Sequence, residues 1–139
     1  MRKATLLNAP IAGVIARMGH MDSLCLGDAG LPIPDHVDRI DLAVAAGLPG
    51  FLDVLPVLTG ELFVERAVIA EELAERQPQF HAKVLAHLAA LGTEQGNDIA
   101  LDAVPHEAFK AMTGTCKAVV RTGEFTPYTN IILVSGVPF

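Results

Sequence analysis

The chain has 139 residues, 51% of them hydrophobic, with no Trp, one Tyr and a formal net charge of −6. That length predicts one domain over 1–139, with a core large enough to fold without disulfide or metal staples. An acidic balance with no block of Lys or Arg excludes the cationic footprint of a nucleic-acid partner, and the scarcity of aromatics excludes platforms for stacking bases.

The mean hydropathy of +0.41 is high, and two explanations compete: a membrane span, or apolar surface buried between subunits. A span needs about 20 predominantly apolar residues. The best run, 43–58, is shorter and is broken by Gly47, Pro49, Gly50, Asp53 and Pro56. No membrane segment is therefore expected. The opening MRKATLLNAP has no apolar stretch before a cleavage site, so no signal peptide is expected either. A soluble homo-oligomer is the expectation that remains. Cys25 and Cys116 lack CxxC spacing and are expected to be reduced core thiols.

In chain order, a helix starts at Asn8 or Ala9, with Ile11, Val14, Ile15 and Met18 on one face and Gly19 as its stop. SLCLGDAG reads as a short buried strand running into a loop, and Arg39 to Val44 as a second strand closed by Gly47. Phe51 to Leu58 predicts a helix between Pro49 and Gly60. ELFVERAVIAEEL, 61–73, is read as a strand passing into a helical end. PQFHAKVLAHLAAL carries Phe80, Val84, Leu88 and Leu91 on one stripe, with Pro78 ahead and Gly92 behind, and is the clearest helix. DIALDAV alternates as a strand, PHEAFKAM opens a short helix at Pro105, and KAVVRTG and NIILVSGV are two further apolar strands. Strands alternating with helices predict an α/β fold: a single three-layer domain with a mixed, largely buried sheet flanked by helices.

The polar residues left over are few. His20 sits between a helix stop and a strand, where it can be a general acid or base or a surface or capping residue; position alone favours the second. Asp28 lies at a strand exit between Gly27 and Gly30, which suits a polyhydroxy ligand or an Asx-turn equally. His106 stands in a helix's first turn, where water is its ordinary partner. Tyr128 and Asn130 in PYTN can exchange protons and hydrogen bonds, or simply form a turn. The chain has no GxxxxGK[ST], GxGxxG, HExxH or GxSxG pattern, and His81 and His87 are six apart, on different faces of their helix. No metal site and no cofactor are expected. His, Asp, Tyr and Asn groups without a cofactor motif suit proton transfer on a neutral polar substrate.

The segments GHMDSLCLGDAGLPIP, RIDLAVAAGLP, IAEEL, HEAFK and VRTGEFTPYTNIILVSGV, in this order and at this total length, resemble the ribose pyranase and fucose mutarotase family. The resemblance implies a cofactor-independent isomerase that interconverts the pyranose and furanose forms of D-ribose. It also implies a cytoplasmic homo-oligomer, a decamer of two pentamer rings, with sites shared between neighbouring subunits. The family's catalytic histidine falls on His20, its sugar-binding acid on Asp28, its second histidine on His106, and its C-terminal sugar-binding stretch on Tyr128, Thr129 and Asn130. Thr129 is expected to contribute backbone groups. Two other readings stay open: a mutarotase for fucose or another sugar, and a non-catalytic sugar-binding accessory of a ribose transporter.

Overall fold

In a computed structural model that describes residues 1–139, the chain runs α1 (Ala9–Arg17), β1 (Ser23–Gly27), β2 (Asp38–Asp41), α2 (Phe51–Thr59), β3 (Val64–Ala70), α3 (Glu71–Arg76), α4 (Pro78–Gln95), β4 (Ala100–Val104), α5 (His106–Met112), β5 (Ala118–Arg121) and β6 (Ile131–Ser135). The strands form one six-stranded sheet in the order β2-β5-β1-β6-β3-β4. Strands β2, β5 and β1 are parallel, as are β3 and β4; β6 runs antiparallel to both of its neighbours, β1 and β3. The carboxyl ends of every strand but β6, and the amino end of β6, therefore share one edge. That edge is where open α/β sheets gather ligands.

Alternation along the strands divides the core in two. Leu24 and Leu26 of β1, Ala118 and Val120 of β5, and Ile131 and Leu133 of β6 face a large apolar layer closed by α1, α2 and α4. The intervening Cys25, Val119 and Ile132 face a smaller layer closed by Phe109 of α5 and by Leu31, Ile33 and Val37. The sheet is buried on both faces, and the expected three-layer α/β domain is the architecture found. Both cysteines are free and buried. No helix is long and apolar enough to cross a membrane.

Two element boundaries differ from the sequence reading. The second strand ends at Asp41 rather than Val44. Beyond it, the Leu42 N–H makes a last ladder bond to the Arg121 carbonyl, and the Val44 N–H turns back to the Leu48 carbonyl, so the chain curls into a loop. The long helix continues through Gly92 to Gln95, and Gly96, at φ 77°, makes the left-handed cap. Gly92 is glycine for a different reason: a Cβ there would lie 2.7 Å from the Asn97 carbonyl oxygen, which returns against the helix. Gly92 is therefore a packing glycine inside the helix, and the stop is Gly96.

Candidate functional site

Strand β1 delivers Asp28 to the ligand edge, and the approach to β6 delivers Asn130 beside it. The two side chains interlock. The Asp28 N–H donates to Asn130 Oδ1 at 2.8 Å, and Asn130 Nδ2 donates to Asp28 Oδ2 at 3.0 Å. The other carboxylate oxygen accepts from the Gly30 N–H at 2.9 Å, an Asx-turn that closes the loop after the strand. Gly27 permits this approach, because a Cβ would meet Leu31 Cδ2 at 2.6 Å and Asn130 Oδ1 at 3.0 Å. Burial pushes the Asp28 carboxyl above its ordinary range, while hydrogen bonds from Gly30, Asn130 and Leu31 and the charge of nearby His106 oppose the rise. The result is a desolvated carboxylate held in one orientation, with lone pairs left to accept hydroxyl protons.

His106 begins α5, and its backbone N–H is capped by the Glu72 carboxylate at 2.9 and 3.2 Å. Its ring stacks on Phe109 and meets the Tyr128 ring edge-on, with centroids 5.1 Å apart. His106 Nδ1 and Thr129 Oγ1 are buried without a hydrogen-bond partner. Tyr128 itself has φ 67°, a left-handed conformation that a bulky residue adopts only where the surroundings enforce it. Just beyond it, the Asn130 side chain is locked to Asp28, and the Asn130 N–H donates to the Tyr128 carbonyl at 2.9 Å, closing a tight turn at Thr129. Strain and orphaned polar atoms collect where Asp28, His106 and Tyr128 converge.

These three residues line a cleft of about 530 Å³ together with Leu31, Arg121, Glu124, Phe125 and Pro127. The volume is in the usual range for a small-molecule site. Arg121 is turned toward Asp41: its Nε donates to the Ala29 carbonyl at 3.0 Å, and its Nη1 reaches both oxygens of Asp41 at 3.1 Å. Burial alone would raise the Glu124 carboxyl, but hydrogen bonds from Thr126, Phe51 and Phe125 outweigh it and hold the group below its ordinary range. Lys110 is paired with Glu107 at 2.6 Å. With Arg121 paired to Asp41 and the carboxylates of Asp28 and Glu124 also lining it, the cleft suits a neutral polar ligand rather than a phosphate or carboxylate. A second cleft, between α4 and β4, has Asp98 as its one ionisable residue and offers no comparable chemistry.

The sequence reading therefore finds Asp28, His106, Tyr128, Thr129 and Asn130 together. It does not find His20 with them. His20 precedes β1 and Asp28 follows it, so the two stand at opposite edges of the sheet, separated by a strand of five residues, or about 17 Å. Within one chain Asp28 is out of reach of His20, and the segment GHMDSLCLGDAGLPIP does not place both around one sugar. His20 instead pairs with Glu65, at 3.0 and 3.1 Å from its Nε2. The reading also passed over Arg121 and Glu124, which brace the cleft loops. Their signal was present in RTGE: Thr122 Oγ1 accepts from the Glu124 N–H and donates to the Gly27 carbonyl, a short local turn that ties β5 to β1. No group of three or more His, Cys, Asp or Glu side chains is arranged to hold a metal.

Comparison with known proteins places the chain among relatives of one family. The model of the RbsD / FucU transport protein family matches residues 1–138. The D-ribose pyranase of Histophilus somni (strain 2336) is 54% identical over 139 residues, covering 100% of both chains. The D-ribose pyranase of Haemophilus influenzae (strain ATCC 51907 / DSM 11121 / KW20 / Rd) is 53% identical over the same full lengths. Among solved structures, Bacillus subtilis RbsD complexed with D-ribose superposes with a TM-score of 0.88 at 42% identity, again covering 100% of each chain. Matched from end to end in sequence and in fold, the chain belongs to the RbsD / FucU transport protein family.

Proposed function

We propose that the chain is a D-ribose pyranase: an isomerase that interconverts the pyranose and furanose forms of D-ribose by acid–base opening and reclosure of the ring, without metal or cofactor. The observation that carries this reading is the uncharged-ligand cleft around Asp28 and Asn130, in a chain 42% identical over its whole length to a protein solved with D-ribose.

Ring opening needs two proton movements. A proton reaches the ring oxygen as its bond to the anomeric carbon breaks, and the anomeric hydroxyl loses its proton as the carbonyl forms. The open-chain aldehyde rotates, the 4-hydroxyl attacks in place of the 5-hydroxyl, and the protons return. Asp28, His106, Tyr128 and Asn130 hold the sugar, with the backbone at Thr129 beside them; Tyr128 is the second group able to move a proton. His20 gives the ring-oxygen proton and takes one back on reclosure. A single positioned acid–base group accounts for a gain of typically 10²–10⁴-fold.

Since His20 and Asp28 lie at opposite edges of one chain, His20 serves the cleft of a neighbouring copy. Exposed apolar residues at both edges support that contact: Phe125 at the cleft is 71% exposed, and Met21 beside His20 is 59% exposed. The assembly proposed is a cytoplasmic homodecamer of two pentamer rings, ten copies of a 14.7 kDa chain or about 147 kDa. Magnetisation-transfer NMR on D-ribose tests the function: pyranose–furanose exchange should rise far above its rate in buffer. Parallel measurements on L-fucose separate a pyranase from a mutarotase. Ribose binding without faster exchange would instead mark a transport accessory.

A further inference from the structure

The edge opposite the cleft contains a second built arrangement. In β3 the register against β6 passes from Val64 opposite Ser135 to Arg66 opposite Val134, which leaves Glu65 as the displaced residue of a bulge. Bulges re-aim side chains, and here the displaced carboxylate reaches His20 Nε2 with both oxygens, at 3.1 and 3.0 Å. Gly136 makes room for it: a Cβ there would lie 2.9 Å from Glu65 Cβ and 3.0 Å from Glu65 Oε2. The turn that carries His20 is equally constrained. Met21 is left-handed at φ 69°. Its N–H donates to the Ser135 carbonyl at 2.9 Å, and the Asp22 N–H donates to the Gly19 carbonyl at 3.2 Å. The Asp22 carboxylate accepts from the Gly19 N–H at 2.9 Å and pairs with Lys117 at 3.1 Å.

Stability does not account for this arrangement. The His20 and Glu65 side chains are 54% and 32% exposed, and an ion pair so open to water contributes little, while left-handed backbone at a methionine is costly. We propose that Glu65 is a positioning residue for His20: its carboxylate accepts from Nε2–H, fixes that tautomer and ring orientation, and leaves Nδ1 as the nitrogen that gives and takes the sugar proton. Hydrogen bonding at one ring nitrogen sets the protonation of the other, so Nδ1 carries the mobile proton in the imidazolium and a bare lone pair in the neutral ring. The proposal rests on the reading that His20 is the proton carrier.

The test compares Glu65→Ala, Glu65→Gln and His20→Ala in the assembled protein. It measures ribose ring exchange across sugar concentrations, and ¹⁵N NMR of the imidazoles. Glu65→Ala should slow exchange at saturating ribose on the order of 10–100-fold, by analogy with the loss of the hydrogen-bond partner that orients a metal-ligating histidine, with the half-saturating concentration little changed. Glu65→Gln, whose amide oxygen still accepts from Nε2–H, should recover most of the rate. In the wild type, His20 should show a protonated Nε2 and a bare Nδ1; in Glu65→Ala the tautomers should mix. Should Glu65→Ala fail to assemble, Glu65→Gln and the wild-type tautomer decide. The proposal is overturned if Glu65→Ala exchanges at the wild-type rate while His20→Ala is inactive, or if wild-type His20 is protonated at Nδ1. If His20→Ala itself keeps wild-type exchange, it is the proton-carrier reading that has failed.

Discussion

Replacing Asn130 by Ala removes both side-chain bonds that hold Asp28: the 3.0 Å bond to its carboxylate and the 2.8 Å bond accepted from its N–H. Asn130 is 1% exposed and Asp28 8%, so water does not take over. A bond to a charged group contributes about 1.5–3 kcal/mol, and orphaning a buried N–H costs about 1–3 kcal/mol. Asn130→Ala should therefore lose about 3–5 kcal/mol, a large share of the roughly 5–15 kcal/mol that holds an ordinary domain together. Urea unfolding reads this, at matched protein concentration because self-association of the proposed kind would add to apparent stability. At the site, the concentration of ribose needed for half-saturation should rise more than the rate at saturation falls. Asn130→Asp separates shape from charge. It keeps the acceptor for the Asp28 N–H but opposes one carboxylate to another, which raises the folded-state pKa of the pair. Such a pair contributes stability at low pH that is lost as pH rises through the raised value. A loss below about 1 kcal/mol in Asn130→Ala, or an Asn130→Asp variant that gains stability with rising pH, would refute the view that Asn130 holds Asp28.

His20→Ala should abolish most ring exchange, by about 10²–10⁴-fold, while leaving ribose binding largely intact; near-native exchange at saturating ribose would shift the proton-carrier role to Tyr128 or His106. His87 Nε2 shares a hydrogen bond with Thr59 Oγ1 at 2.9 Å, and burial lowers its affinity for a proton, with Glu94 opposing. The unfolded chain therefore protonates first as pH falls below about 6.5, and stability should decline from there down to the lowered folded value; His87→Gln should flatten that slope in pH-dependent unfolding. Ring exchange should survive EDTA, and a loss restored by one metal would contradict cofactor-free chemistry.

Much of the fold was legible in periodicity, because the strands and the long helix are buried on the faces their sequences dictate. The limits lay where a single residue type has two physical uses. Gly92 packs against the Asn97 carbonyl inside a helix instead of ending one. Glu65 stands in VERAVIA, where Val64 and Ala67 enter the same apolar layer although they are three apart. That odd spacing requires a bulge, since strand faces alternate with period two. The candidate polar groups, from His20 to Asn130, could also be singled out one by one as residue types. Their division between two edges was not legible, because it follows from the length of β1 and the reversed direction of β6, neither of which a short motif records.

The central claim is that His20 of one copy acts on the sugar held by Asp28 of another. His20→Ala and Asp28→Ala oligomers, each checked for native mass, can be dissociated, mixed in equal amounts and reassembled, and their ribose ring exchange measured by NMR. Each parent should be nearly inactive, and the mixture should recover exchange, because about a quarter of randomly formed interfaces combine two intact halves. A mixture that reassembles fully and stays as inactive as its parents would contradict the shared site.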